Sequence, residues 1–336
     1  MIERLFNIWE RRLASVDTDR VVRPFDWGLD WIGLEGAPDP LAAIMEWSAQ
    51  AVDGSHDFYG AAATSDSELK GDTLRFASAL ASPFEVNNIV VAHVFRPDER
   101  KAGRTRRAVV VLPQWNADAE GHAGLCRLFA RFGLTAVKLT LPYHGERRPP
   151  DLTRADYIVS ANVGRTLHAN RQAVLDAKRV VDWLVGEGFE RIGIVGTSLG
   201  SCLAMLTMAH DTRIRTGAFN HISPYFADVV WRGLSTRHVR AGFDGHITLD
   251  DLRACWMPIS PWPFVTHVRD RDSLLVYARY DTTFPVDLSR MFVGEFRRQG
   301  ATFASTVLPC GHYTTGKTPF KFLDGYALTK FFLKTL

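Results

Sequence analysis

The sequence predicts an α/β protein on a doubly wound, mostly parallel sheet. Continuous apolar runs of strand length recur along the chain, and helix-like stretches separate them. The polar residues of chemical interest fall at the ends of those runs. A run without alternation, such as Ala108-Val109-Val110-Val111-Leu112, suits a strand covered on both faces. Strands that alternate with helical stretches specify parallel pairing through crossovers.

Taken in order, residues 1–85 read as an N-terminal helical extension packed on the core. Leu5, Ile8, Trp9 and Leu13 recur at helical spacing over 2–14, and a second helix-like stretch runs from Leu41 to Ala51 after Pro38-Asp39-Pro40. This arm either forms a layer on the back of the core, covers part of a site, or makes the contact of a homo-oligomer. The strand candidates begin with Ile89–Phe95, then Ala108–Leu112 and Thr135–Thr140. A helix from Ala119 to Phe132 lies between the last two, and a long helical stretch spans about 153–185. Strand Arg191–Val195 follows, and later strands are Thr216–His221, Leu274–Tyr280 and Phe303–Leu308. Residues 222–268 break the alternation and carry Trp231, Trp256, Trp262 and Phe264. They read as a lid insertion whose aromatic residues either wall a pocket or glue the insertion to the core.

Gly196-Thr197-Ser198-Leu199-Gly200 joins the strand Arg191–Val195 to a helix-like run at Ser201–Leu206. G-x-S-x-G between a strand and a helix places its serine on a sharp elbow at the top of a sheet, with the hydroxyl exposed. The glycines are required because strand and returning helix pass too closely for a Cβ. Two later strand ends carry the groups a serine nucleophile needs. Asp281 follows the strand Leu274–Tyr280 and precedes Pro285, and His312 follows Phe303–Leu308 behind Gly311. An imidazole takes the serine proton and later returns it to the leaving group. A carboxylate orients the imidazole and stabilises its charged form. Asp287 is the nearest competitor to Asp281, but falls inside the next helix.

At these residues the chain resembles the α/β-hydrolase superfamily: G-T-S-L-G, then Y-D-T-T-F-P, then G-H-Y, in that order over residues 86–336. The resemblance implies an α/β-hydrolase domain at 86–336 and Ser198, Asp281 and His312 as catalytic residues. It implies the N–H of Leu199 as one oxyanion-hole donor. The second donor comes from the loop after Ala108–Leu112, where many relatives carry His-Gly and this chain carries Pro113-Gln114. Trp115 N–H is the favoured donor by position, and Gln114 is the alternative. In the loop Leu141–Arg148, Tyr143 and His144 are candidate substrate contacts, and Arg147 or Arg148 candidate partners of a carboxylate or phosphate. The competing reading makes this loop architectural. With Gln114 and Trp231, these complete the candidate substrate-binding set.

The function implied is a serine hydrolase cleaving an ester, carboxylesterase-like, through an acyl-enzyme. The alternatives are amide, peptide, thioester or C–C hydrolysis or acyl transfer by the same residues, or a non-catalytic binding protein on the same fold. No cofactor and no metal are expected, because none of Cys126, Cys202, Cys255 and Cys310 forms a C-x-x-C pair. No G-x-x-x-x-G-K-[ST] or G-x-G-x-x-G is present. A net charge of +3, with the densest basic stretch only Arg104-Thr105-Arg106-Arg107, does not point to nucleic acid. The N-terminus shows no apolar signal core and no run is long enough to span a bilayer. These features set the expectation of a cytoplasmic protein with a small-molecule ester or acyl substrate.

Overall fold

The structure, a computed structural model, describes residues 2–60, 66–98, 100, 103 and 105–336. Arg104 of the basic stretch lies outside them. The described residues form a nine-stranded sheet. Its strands are β1 (Ser67–Lys70), β2 (Thr73–Ala77), β3 (Ile89–Phe95), β4 (Arg107–Leu112), β5 (Thr135–Leu139), β6 (Arg191–Thr197), β7 (Ile214–Asn220), β8 (Asp272–Ala278) and β9 (Phe303–Leu308). They lie in the order β1-β2-β3-β5-β4-β6-β7-β8-β9. From β5 to β9 all pairings are parallel, and β1, β2 and β3 extend the sheet in antiparallel fashion.

β4 shows why an unbroken apolar run was needed. Ala108, Val110 and Leu112 enter the core on one face, while Val109 and Val111 enter the core on the other. The first face is covered by helices Val163–Gly186 and Leu199–Ala209, the second by Ala123–Arg131 and Phe320–Thr335. Strand side chains alternate in direction, so a strand between two helical layers has no position left for water.

Two expectations are corrected. Residues 1–85 are not helical throughout. Helices Ile2–Ala14 and Pro40–Asp53 form as expected, but β1 and β2 make a hairpin that joins the sheet beside β3. Gly71, at φ 60°, makes the turn, and Leu74 and Phe76 alternate into the core. This period of two is short and stands beside stronger helical signals in the sequence. The long helix begins at Val163 rather than near 153, because the Asn162 side chain caps it by accepting the N–H of Arg165 at 2.8 Å.

The insertion at 222–268 is helical, with Phe226–Arg232, Arg237–Phe243 and Leu249–Cys255 as its longer elements. It is tied to the N-terminal region by Ser48 Oγ donating to Cys255 O (2.6 Å) and Tyr59 Oη donating to Pro258 O (2.9 Å). Trp256 and Phe264 are core residues, and Trp256 Nε1 donates to Val163 O at 3.2 Å. The aromatic residues of this segment therefore fasten it to the rest of the molecule. No described helix is long and apolar enough to cross a membrane.

Candidate active site

Ser198 sits between β6 and helix Leu199–Ala209 at φ 57°, ψ −120°. That conformation is strained for any residue with a Cβ and is held from several sides. Its N–H donates to Asn220 O at 2.8 Å, and its carbonyl accepts the Ser201 hydroxyl at 2.6 Å. A Cβ on Gly196 would collide with the carbonyl of Gly200, and one on Gly200 with the carbonyls of Leu112 and Pro113. The elbow is thus pressed against both its own helix and the loop leaving β4.

The ends of β8 and β9 bring the other two candidates to this serine. His312 Nε2 lies 3.1 Å from Ser198 Oγ, and His312 Nδ1 lies 3.0 Å from Asp281 Oδ2. An ionised carboxylate only accepts hydrogen bonds. The imidazole proton therefore sits on Nδ1 and the Nε2 lone pair faces the serine hydroxyl. Phe284 stacks on the His312 ring, with centroids 5.3 Å apart and planes within 4°. Asp287 is not in competition: its carboxylate is exposed and forks onto Arg232 at 2.9 Å.

Asp281 is buried and saturated with donors. Oδ1 accepts the N–H groups of Thr283 (2.8 Å) and Phe284 (2.7 Å), and Oδ2 accepts His312 and also His221 Nδ1 (2.8 Å). Burial alone would raise its pKa, but the His312 charge and the hydrogen bonds from His221 and His312 hold it well below the usual carboxylate range. For His312, burial opposes the charge, yet the Asp281 carboxylate, its hydrogen bond and the Glu10 carboxylate together raise its pKa above the ordinary 6.5.

His221 was missed in the sequence, where it reads as the last residue of an apolar strand. It follows β7 at φ 58°. The usable signal was its place at a strand's carboxyl end, like Ser198, Asp281 and His312. The side-chain atoms of His221, Asp281 and His312 lie within 4.8 Å of one another, as a metal's ligands do. Here both Nδ1 atoms address one oxygen, which is the geometry of hydrogen-bond donors.

Ser198, His221 and His312 open onto a cavity of about 1120 Å³, whose wall also includes Gln114, Trp115, Arg148 and Phe322. That is at or above the range of about 300–1,000 Å³ usual for small-molecule pockets. Trp115 Nε1 donates to Ala155 O at 2.9 Å, and its ring stacks on His238 at 5.6 Å. Among the described residues, no hydrogen bond uses the N–H of Leu199 or Trp115.

Of the candidate substrate contacts, Tyr143 and Trp231 do not reach the cavity, whereas Gln114 and His144 lie in its wall. Tyr143 is fully buried against Phe84 and Tyr157 and does not reach the cavity. His144 touches the cavity, but its ring nitrogens are committed to the backbone: Nδ1 donates to Pro142 O (2.9 Å) and Nε2 accepts Asn116 N–H (2.8 Å). Burial holds it neutral, with its pKa down at about 4. It shapes the loop carrying Gln114 and Trp115. Trp231 lies away from the cavity, stacked on Phe243, with the Arg240 guanidinium 3.5 Å from its ring centre. Of residues 222–268, the described cavity wall includes Ser235 and no aromatic side chain. Arg147 is also architectural: it is completely buried, pairs with Asp176 at 2.8 Å and donates to Asn87 O and Thr140 O. Cys310, beside His312, is buried against Thr315, and burial pushes its thiol up to about 12, so it is no nucleophile.

A family model described as alpha/beta hydrolase domain containing 18 matches residues 80–224. That stretch includes the elbow and His221 and stops before Asp281 and His312. No curated protein matches the sequence. Among solved structures, the fold is similar to an acetyl xylan esterase from Paenibacillus sp. R4, with 13% identity, TM-score 0.61, and 97% of this chain and 99% of that one covered. Acetyl xylan esterase 1 from Thermoanaerobacterium sp. JW/SL YS485 gives 13% identity and TM-score 0.59, with 96% and 98% covered. The Pyrococcus horikoshii acylaminoacyl peptidase gives 16% identity and TM-score 0.60 over 80% of this chain. The chain spans only 42% of that peptidase's length. At these identities the likeness is one of fold.

Proposed function

We propose that this chain, which has the fold of those esterases and matches an alpha/beta hydrolase family model over residues 80–224, is a serine hydrolase that cleaves a carboxylic ester through an acyl-enzyme. The observation that carries the reading is the continuous chain from Ser198 Oγ through His312 to Asp281, at 3.1 and 3.0 Å, in the wall of a large cavity.

Ser198 Oγ attacks the ester carbonyl carbon while His312 Nε2 takes its proton. The resulting oxyanion is received by the N–H groups of Leu199 and Trp115. Losing one such donor typically costs about 10²–10³ in rate. Asp281 holds the Nδ1–H tautomer and balances the imidazolium. The imidazolium protonates the departing alkoxide, which leaves as the alcohol. Water then enters, gives a proton to His312 and attacks the acyl carbon, and Ser198 leaves with that proton restored.

Labelling with a fluorophosphonate probe tests this. The folded wild type is expected to label and to turn over p-nitrophenyl esters, whereas Ser198→Ala does neither. A folded wild type that neither labels nor hydrolyses any of a panel of esters graded by acyl length would overturn the reading.

A further inference from the structure

Helix Ile2–Ala14 is mostly exposed: Ile2, Leu5 and Ile8 each keep more than half of their surface in water. Glu10 is its anomaly, a carboxylate with 0% exposure. No cation is paired with it among the described residues. A buried, uncompensated charge is costly unless hydrogen bonds satisfy it. Those bonds come from the loop that carries His312. Glu10 Oε2 accepts the N–H of Tyr313 and Oε1 the N–H of Thr314, both at 2.9 Å. Gly311 supplies the clearance, since a Cβ there would run into the Glu10 carboxyl group. One helical turn earlier, Phe6 stacks on Tyr280, the neighbour of Asp281, with centroids 4.6 Å apart and planes within 13°. Residues four apart share a helix face, so one face of this helix grips both the loop of His312 and the loop of Asp281.

We propose that Glu10 is a positioning residue for His312. Its carboxylate clamps the backbone beside the imidazole and adds a fixed negative charge that favours the protonated ring. The proposal rests on the hydrolase reading above. The charged and titratable groups around His312 are Asp281 from the end of β8, His221 from the end of β7 with ring centroids 4.5 Å apart, Tyr313 with Arg20 bound to its hydroxyl at 2.9 Å, and Glu10. Arg20 reaches only the far end of Tyr313 and is itself paired with Asp17 at 3.0 Å. Among the described residues, Asp281 and Glu10 are the carboxylates that act on the His312 ring, while Asp324, in the same cavity wall, accepts from Asn220 at 2.9 Å and acts on His221.

The test compares wild type, Glu10→Gln and Glu10→Asp. In Glu10→Gln one acceptor becomes a donor facing an N–H and the charge is gone. Its kcat is expected to fall by about tenfold or more, the usual scale of a lost hydrogen bond to a charged group, with KM unchanged. The acid limb of kcat/KM moves to lower pH, because removing a negative charge makes the imidazole easier to deprotonate. Glu10→Asp keeps the charge but draws it back, so kcat falls while the acid limb stays near that of wild type. A purely structural Glu10 would lower Tm without moving the limb, and that result, or a wild-type kcat in Glu10→Asp, would overturn the proposal. Should Glu10→Gln not fold, the Glu10→Asp result decides alone. Fluorophosphonate labelling of wild type separates the two failures. If wild type does not label, the hydrolase reading falls, and NMR titration of the His312 ring in wild type and Glu10→Gln still tests the contact.

Discussion

His221 and His312 converge on one oxygen atom: their Nδ1 atoms lie 2.8 and 3.0 Å from Oδ2 of Asp281. Two donors on one acceptor compete for its charge, so His221 both anchors the carboxylate and draws part of its field away from His312. Replacement by asparagine tolerates the left-handed backbone at this position. His221→Asn is expected to lower kcat by about tenfold, through a less firmly held Asp281, the scale of one charged hydrogen bond. The acid limb of kcat/KM should move to higher pH, opposite to Glu10→Gln, and a pH-rate profile measures it.

Asp281→Asn and Asp287→Asn separate the carboxylate that orients the imidazole from its sequence neighbour. The first is expected to reduce kcat by about 10⁴, because an amide no longer holds the correct tautomer. The second removes an exposed pair with Arg232, worth about 0–1 kcal/mol, and leaves activity unchanged. Steady-state kinetics of the two variants is the measurement.

The pH dependence follows from the raised pKa of His312. The base must be neutral to accept the serine proton, so activity is expected to rise with pH through a midpoint above 6.5. His144, held down near 4 by burial, adds no step in that range. The linkage to stability has opposite signs for the two partners. The contribution of His312 is full below 6.5 and lost as pH rises through its raised folded value. That of Asp281 is present above 3.8 and lost as pH falls through its depressed folded value.

Gly200→Ala forces a Cβ into the backbone carbonyls of Leu112 and Pro113. Neither atom can rotate away, so the expected cost is on the order of 3 kcal/mol or more, with loss of probe labelling. Gly294→Ala is the contrast. Gly294 lies within helix Val286–Arg298 and has nothing within 4 Å of an added Cβ, so the change is expected to stabilise by about 0.5–1 kcal/mol. Denaturant midpoints compare the two.

Much of the fold was legible because its signals are local. β4 and β6 are buried along almost their whole length, and such strands announce themselves as unbroken apolar runs. The elbow is legible for the same reason: Gly196, Ser198 and Gly200 solve a steric problem posed within five residues. The hairpin at β1 and β2 is short and was hidden beside longer helical patterns. Trp231 and Tyr143 illustrate the limit for the site. An aromatic residue near a strand end suits a pocket wall or a core equally well, and only packing chooses.

By itself the sequence determined the α/β architecture, the strained serine between strand and helix, and the order in which an acid and a histidine follow it. These depend on periodicity, turn sterics and residues close along the chain. The tertiary structure alone decided that His221 shares the Asp281 oxygen with His312, and that His144 braces a loop. It alone brought Glu10 to Tyr313, across 303 positions. The physical reason is that a hydrogen bond or a buried charge depends on distances in space, which are set only once the whole core has packed.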